Sequence, residues 1–283
     1  MKYNNLIIFL TDRCMSGCAT CNVKASPENS GMVLHDDLDL IFENSLLAES
    51  VSKYVIWTGG EPFENFSSLI YGIGQAERSG FNSEILTAGY WYEEGASHLT
   101  ELKKAGNFSL RISIDQEHLR FSGTEKIIDL LSECIDMGIE ANFTVRKIGD
   151  EQDCRLIFFD EIKRSFPDHY REKTGDPRWI HQIPHVPISK DDPYLNYNKE
   201  VYKNSGCKMA GRDLVVGWDG NIYPCCGLFS LPGFKKYATG NIRGTDFIKN
   251  KHIKSNELFK LIREGGPGEL TKKFGPEDID MEI

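Results

Sequence analysis

Three cysteines near the N-terminus carry the strongest chemical signal in the chain. Cys14, Cys18 and Cys21 follow the short apolar run Leu6–Leu10 with the spacing C-x3-C-x2-C. Three thiolates at this spacing fit on one loop and can hold three irons of a [4Fe–4S] cube, which leaves the fourth iron without a protein ligand. An open iron can bind a substrate or cofactor, whereas a fully ligated cluster shuttles electrons. A disulfide pair or a zinc loop is the alternative for this spacing.

A glycine pair follows the next predicted strand. Gly59, Gly60, Glu61 and Pro62 come directly after the apolar run Tyr54–Thr58. Two glycines let a backbone approach a ligand closely, because any side chain would block that approach. Glu61 adds a carboxylate beside this exposed backbone. An ordinary turn is the alternative for these four residues.

Polar residues also end two later strands. Arg111, Ser113 and Asp115 alternate along one strand, so they are expected to share one face. Arg146 ends the following strand, where an arginine can hold a carboxylate through two parallel hydrogen bonds. An ordinary surface ion pair is the alternative for Arg146.

The cysteine triplet and the Gly-Gly-Glu-Pro motif, in this order and spacing, resemble the radical SAM superfamily. The resemblance implies that Cys14, Cys18 and Cys21 bind a [4Fe–4S] cluster whose open iron chelates the amino and carboxylate groups of S-adenosylmethionine (SAM). It also implies that an electron from the cluster cleaves SAM to methionine and a 5′-deoxyadenosyl radical. The family usually has an aromatic residue before the third cysteine, and this chain has Thr20 there.

The resemblance extends to the SAM contacts. It implies that the segment of Gly59, Gly60, Glu61 and Pro62 contacts the methionine amino group. The Ser113-x-Asp115 pattern is expected near the ribose or the methionine group, and Arg146 is expected to hold the SAM carboxylate. These residues are therefore the predicted cofactor-binding set.

Six strand-like runs alternate with helix-like segments, which predicts βαβ units and a parallel sheet. This agrees with the partial (β/α)6 TIM-like barrel that the resemblance implies, over residues 1–195. The predicted strands are Leu6–Leu10, Tyr54–Thr58, Glu84–Thr87, Ser109–Ile114, Glu140–Val145 and Trp179–Ile183. The predicted helices are Asp37–Ser50, Phe66–Ser79, His98–Ala105, Thr124–Met137 and Leu156–Ser165.

Residues 196–283 are predicted to form a small α+β extension with an acidic tail. A β-hairpin, Asp213–Trp218 with Asn221–Tyr223, is expected to turn at Asp219 and Gly220, and a helix is expected at Asn256–Arg263. Cys207, Cys225 and the Gly-Asn-Ile-Arg segment that ends at Arg243 resemble the front of a SPASM or Twitch domain. The downstream C-x2-C of a Twitch cluster is missing, since no cysteine follows Cys226.

Three interpretations of the C-terminal cysteines stay open. Cys207, Cys225 and Cys226 could hold an auxiliary iron–sulfur cluster with a non-cysteine or open fourth site. One thiol, Cys226 in the predicted set, could instead donate hydrogen to a substrate radical. The third interpretation is a structural remnant, because a buried cysteine often serves as a small hydrophobe.

Composition narrows the class of protein. The 283 residues carry a formal net charge of −9, which disfavours general binding to nucleic acid. The apolar runs are far shorter than a bilayer span, and a signal-peptide pattern is missing. Eight cysteines with metal-type spacing predict a reducing, cytoplasmic location.

The expected function is radical SAM catalysis on a ribosomally made peptide, by crosslinking or epimerisation. A small-molecule radical SAM dehydrogenase or epimerase acting on a sugar or aminocyclitol is the main alternative. A non-catalytic iron–sulfur sensor is the remote one. The expected partners are the substrate and an electron donor such as flavodoxin or ferredoxin.

Overall fold

Strands and helices alternate along the chain, as the sequence pattern predicts. The structure is a computed structural model that describes residues 3–19, 21–44, 47–52, 54–95, 97–147, 154–167, 180–184, 211–223, 226–230, 233–244, 260 and 263–265. The strands are β1 (Leu6–Thr11), β2 (Tyr54–Gly59), β3 (Asn82–Thr87), β4 (Phe108–Ser113), β5 (Glu140–Lys147), β6 (Ile180–Pro184), β7 (Leu214–Val216), β8 (Asn221–Tyr223) and β9 (Gly240–Asn241). The helices are α1 (His35–Phe42), α2 (Leu47–Ser50), α3 (Phe66–Arg78), α4 (His98–Ala105), α5 (Gln116–Ser122), α6 (Thr124–Met137) and α7 (Cys154–Ser165).

One sheet contains all of these strands, in the order β6-β5-β4-β3-β2-β1-β7-β8-β9. Strands β1 to β6 are parallel to their neighbours. The sheet is not closed, because β6 and β9 form its two edges. The predicted α/β class with a partial parallel barrel is therefore confirmed. In such sheets the ligand sites lie beyond the carboxyl ends of the strands.

The two faces of β1 are buried in different clusters. Leu6, Ile8 and Leu10 lie in the main core with buried residues of α1 and α3. Ile7 and Phe9 point to the opposite face, because side chains alternate along a strand. They pack with Val215, Tyr223 and Phe229, and these five residues form what we call the second cluster.

The predicted C-terminal hairpin is present, and it continues the main sheet. β7 pairs in parallel with β1, with Leu214 opposite Leu6, and β8 returns antiparallel to β7. Gly220 adopts a positive φ of 75° in the turn between them, a conformation that glycine adopts at little cost. Sequence periodicity suggests a hairpin but does not reveal which strand it joins, so its pairing with β1 was not predicted.

Two helices differ from the sequence predictions. The expected helix Asp37–Ser50 is two elements, α1 and α2, since α1 ends at a C-cap on Glu43. Asn44 follows, and asparagine favours caps and turns over helix interiors. α5 was not predicted. The expected helix Asn256–Arg263 lies almost entirely outside the described residues.

Within the part of the chain that the structure describes, no helix has the length and apolar character to cross a membrane.

An ion pair connects the hairpin region to α1. Arg243, just after β9, donates from Nη2 to Asp37 Oδ1 at 2.5 Å. The Asp37 side chain is 6% exposed and the Arg243 side chain 57%. Asp37 Oδ2 also accepts the backbone N–H of Leu34 at the start of α1. Arg243 is therefore a cationic partner of this buried carboxylate.

We expect Arg243→Ala to lower the free energy of unfolding by about 1 kcal/mol, because it leaves the Asp37 carboxylate buried without its cation. The matched control is Arg164→Ala, which removes an exposed pair with Glu161 on α7. That control should change stability by less than about 0.5 kcal/mol. Thermal melts of the three proteins measure the difference, and equal losses in both variants would contradict the assigned role of Arg243.

Candidate active site

The loop after β1 carries the three N-terminal cysteines. Cys14 is buried, and Cys18 and Cys21 are partly buried. The backbone turns sharply between the last two, since Cys21 N–H donates to Cys18 O at 3.2 Å. The Cys21 sulfur then accepts the backbone N–H of Ala25 at 3.4 Å. The loop thus places all three thiols beyond the carboxyl end of β1.

Cys14 and Cys18 lie where a bare thiolate is disfavoured. Burial raises the pKa of the Cys14 thiol. Burial also raises the pKa of Cys18 to about 12, and the nearby charges of Glu117 and Cys21 add to that rise. A group of thiolates at this place therefore needs a cationic partner to offset its desolvation and mutual repulsion.

An iron–sulfur cube fits this donor set better than a single ion does. Among the described residues, no three His, Cys, Asp or Glu side chains converge on a point where one metal ion could sit. In a cube each cysteine binds a different iron, so the thiolates surround the cluster without meeting at one centre. The loop supplies three such thiols and is compatible with the predicted cluster.

The Gly-Gly-Glu-Pro segment lies directly against the cysteine loop. Gly60 N–H donates to Thr11 O at 2.7 Å, and Glu61 N–H donates to Arg13 O at 2.9 Å. A Cβ on Gly59 would lie 2.3 Å from Thr11 O, and one on Gly60 would lie 2.1 Å from Arg13 O. The close approach that these glycines permit is therefore an approach to the chain's own backbone. The sequence had suggested that these glycines allow the backbone to approach a ligand.

The Glu61 side chain is fully buried and joins two strand ends. Its carboxylate accepts from Thr87 Oγ1 and from the backbone N–H of Ala88, both at 2.8 Å. Phe63 N–H, in the short 3₁₀ helix that Pro62 begins, lies 3.4 Å from Glu61 Oε1. Burial raises the pKa of Glu61 to about 7, although these hydrogen bonds act in the opposite direction. The contacts described for the Glu61 carboxylate are thus all with other groups of the protein.

The end of β4 brings together further polar groups. Ser113 is half-buried and lies opposite Thr144 of β5, whose buried Oγ1 has no hydrogen-bond partner. Asp115 caps α5, and its Oδ1 accepts from the backbone N–H of Glu117 and His118. The same oxygen lies 2.8 Å from His118 Nδ1. Ser113 thus lies at the end of β4, and Asp115, just beyond the strand, caps α5.

A tyrosine that sequence reasoning missed lies beside Cys14. Tyr90 Oη accepts the backbone N–H of Met15 at 3.0 Å and lies 3.8 Å from Cys14 Sγ. It also donates to Glu64 Oε1 at 2.9 Å, and Glu64 Oε2 pairs with Arg13 Nε at 3.1 Å. Burial and the charge of Glu61 raise the pKa of Tyr90 well above its usual range. The sequence signal that could have identified Tyr90 is its place just after a predicted strand, because ligand sites lie beyond the carboxyl ends of parallel strands.

The remaining predicted residues are only partly described. Arg146 lies near the end of β5 with its backbone opposite Ile183 of β6, and its side chain lies outside what the structure describes. Cys207 and Cys225 also lie outside the described residues. Cys226 begins a 3₁₀ helix and packs against the second cluster, as do Val23 and Ile56.

The buried Glu61 predicts a pH dependence. The folded protein holds the Glu61 proton up to pH about 7, whereas the unfolded chain releases it near 4.5. Stability from this group is therefore complete below pH 4.5 and falls by roughly 3 kcal/mol as the pH rises through 7. Glu61→Gln, which stays neutral, should lack this part of the slope in melts recorded from pH 4.5 to 8.

The control is Glu77→Gln. Glu77 likewise accepts hydrogen bonds from a backbone N–H and a side chain, those of Asn107, but at an exposed place. That variant should keep the wild-type slope. A Glu61→Gln protein with the same slope as wild type would mean that Glu61 is ionised throughout this range.

Comparison with known proteins relates this site to others. Residues 207–269 match the SPASM family, which is described as an iron–sulfur cluster-binding domain. The Bacillus subtilis (strain 168) protein YydG, whose name assigns it to peptide biosynthesis, is 22% identical over 242 residues. That match spans 79% of this chain and 70% of YydG.

Two solved structures share the fold. The structure of anSMEcpe with bound AdoMet (SAM) and Cp18Cys peptide matches with a TM-score of 0.62 and 16% identity, over 92% of this chain and 83% of that one. BtrN in complex with AdoMet and 2-DOIA matches with a TM-score of 0.50 and 17% identity, over 94% of this chain and 89% of that one. The SPASM match at residues 207–269 and the shared fold agree with the resemblance that the sequence motifs carry.

Proposed function

We propose that this chain reductively cleaves SAM and abstracts a hydrogen atom from a ribosomally synthesised peptide, which it then crosslinks or epimerises. The observation that carries the proposal is the cysteine loop itself, held by the Gly-Gly-Glu-Pro backbone beyond the end of β1. When bound, the cluster and SAM supply a 5′-deoxyadenosyl radical as the hydrogen-abstracting species.

The protein's own part is to hold and orient these groups. Cys14, Cys18 and Cys21 would hold three irons and leave the fourth open to the amino and carboxylate groups of SAM. Ser113, at the end of β4, is half-buried and could donate to or accept from SAM. Arg146, near the end of β5, would pair with the SAM carboxylate. Gly59, Gly60 and the buried Glu61 would act mainly through the backbone position they impose on the loop.

The reaction needs a source of electrons. An electron donor such as flavodoxin or ferredoxin would reduce the cluster, and an open iron site would need the reducing environment of the cytoplasm. The electron donor and the reducing environment are both required by the chemistry of the cluster.

A peptide substrate has support from two relatives, YydG by its name and anSMEcpe by its bound Cp18Cys peptide. A small molecule is the second candidate, because BtrN shares the fold and its structure contains 2-DOIA. A non-catalytic iron–sulfur sensor is disfavoured, since it would not need Ser113 or Arg146 to hold SAM.

The surroundings of Cys226 support a role as hydrogen donor. Cys226 packs on the second cluster, which includes Phe9 of β1, and Val23 of the cysteine loop packs on the same cluster. A thiol there could give a hydrogen atom to a substrate carbon radical and be left as a thiyl radical, which one electron from the electron donor and one proton from solvent would return to the thiol. The alternative is that Cys226 joins Cys207 and Cys225 in an auxiliary cluster.

Replacing Cys14, Cys18 and Cys21 together with Ala should remove the oxygen-sensitive cluster and abolish 5′-deoxyadenosine formation from SAM and dithionite. The reason is that no other thiol lies on this loop. Chromatography of the reaction mixture measures the product. Cys134→Ala, which changes a buried core thiol on α6, is the control and should still cleave SAM. Unchanged cleavage in the triple variant would rule out this loop as the cluster site.

Cys226→Ala distinguishes the two roles of that thiol. If Cys226 donates hydrogen, wild-type protein should hold about four irons, and the variant should cleave SAM without forming the epimerised product. If it ligates an auxiliary cluster, wild type should hold about eight irons and the variant fewer. The product assay uses a candidate precursor peptide as substrate. Four irons in wild type with a fully active variant would exclude both roles.

A further inference from the structure

The residues before and after Cys14 are connected to each other by a chain of hydrogen bonds through two other side chains. Arg13, the preceding residue, pairs with Glu64 at 3.1 Å. Met15, the following residue, donates its backbone N–H to Tyr90 Oη at 3.0 Å. Glu64 and Tyr90 are joined to each other at 2.9 Å, so the path from Arg13 to Met15 closes around the cysteine. We call Arg13, Glu64 and Tyr90 the Cys14 bracket.

The bracket is attached to two parts of the fold outside the cysteine loop. Glu64 lies in the 3₁₀ helix Pro62–Asn65, which follows β2. Tyr90 follows β3, its ring packs edge-on against Phe121 at 5.0 Å, and its carbonyl oxygen accepts from Lys126 Nζ. The loop that holds Cys14 is therefore tied to the ends of two neighbouring strands.

The Tyr90 hydroxyl has one hydrogen and two acceptors within reach. Its oxygen accepts from Met15, so the hydrogen is left for Glu64 Oε1 at 2.9 Å or Cys14 Sγ at 3.8 Å. A Cys14 sulfur that carries thiolate charge competes better for this hydrogen than a neutral thiol does, because charged acceptors make stronger hydrogen bonds. Glu64 already pairs with Arg13, so its carboxylate carries less uncompensated charge and is a weaker acceptor for the Tyr90 hydrogen.

We propose that Tyr90 is a positioning residue whose single hydroxyl hydrogen, directed at Glu64 in the thiol form of Cys14, turns to the Cys14 sulfur when that sulfur carries thiolate charge in a cluster, and that it thereby fixes Cys14 and sets the reduction potential of the cluster. This inference rests on the proposed cluster at Cys14, Cys18 and Cys21. Hydrogen bonds to the cysteine sulfurs are among the factors that determine the potential of an iron–sulfur cluster. A donor aimed at the sulfur favours the reduced form, because that form carries more negative charge.

Tyr90→Phe is the direct test. It keeps the ring against Phe121 and removes the hydroxyl, so the Met15 amide and the Cys14 sulfur both lose their partner. We expect the reconstituted variant to have a more negative midpoint potential in a spectroscopic redox titration and to lose iron to a chelator several-fold faster than wild type. An unchanged or more positive potential, or an unchanged rate of iron loss, would overturn the proposal.

Glu64→Gln leaves Tyr90 in place and changes only its orienting partner. Its iron loss should also be faster, but its potential should move in the opposite direction. The amide competes less well for the Tyr90 hydrogen and adds no negative charge near the sulfur. A loss of loop structure alone would move both variants the same way, so shifts of the same sign would overturn the role of the hydroxyl in setting the potential.

Tyr92→Phe is the matched control. Tyr92 is buried two residues further along, and its hydroxyl is bonded to the Glu133 carboxylate, away from the cysteine loop. This variant should keep the wild-type potential and rate of iron loss, and a shift equal to that of Tyr90→Phe would overturn the proposal. If wild type itself holds no cluster on the loop, the proposed function fails. If wild type holds it and Tyr90→Phe behaves identically, only the inference about Tyr90 fails.

Discussion

The contact between two backbone segments is the constraint on which the candidate site depends. Thr11 and Arg13, on either side of the start of the cysteine loop, accept the amide hydrogens of Gly60 and Glu61. The segments lie so close that a Cβ on Gly59 or Gly60 would overlap a carbonyl oxygen of the loop. Gly59 also has a φ of 135°, which side chains disfavour. Because backbone atoms rather than long side chains make the contact, the position of the loop is fixed within narrow limits.

Further contacts connect this pair of segments to the end of the neighbouring strand β3. The Glu61 side chain, after β2, accepts hydrogen bonds from Thr87 and Ala88 at the end of β3 and so joins the two strand ends. Tyr90, a short distance further along, returns to the loop at Met15. The cysteine loop is therefore supported by β2 through the backbone and by β3 through a side chain. A buried carboxylate with three internal donors is costly to desolvate, and that cost is offset only while these strand ends keep their relative position.

Much of this arrangement follows from the sequence, and the rest depends on contacts between distant residues. Alternating apolar runs and helical periodicity predicted the parallel sheet and the helices α3, α4, α6 and α7 within a few residues. The order of the motifs predicted that the cysteines and the glycines meet, because both follow parallel strands. The sequence did not predict that the glycines face the loop, since glycine permits close approach to a ligand and to backbone alike. Tyr90 was missed because its role depends on its distance from Cys14, which no local pattern encodes.

The pairing of β7 with β1 explains why the C-terminal extension is relevant to the same site. β1 is the strand that leads into the cysteine loop, so a hairpin added beside it lies next to that loop. The ring of Trp218, just after β7, occupies the space where a Cβ on Gly31 would be. The second cluster then brings Phe229 of the extension onto Phe9 of β1 with their rings 4.2 Å apart. Cys226 packs on that cluster with Val23, two residues after Cys21. The cysteine loop, through Val23, and the extension, through Cys226, therefore both pack on the face of β1 that carries Ile7 and Phe9.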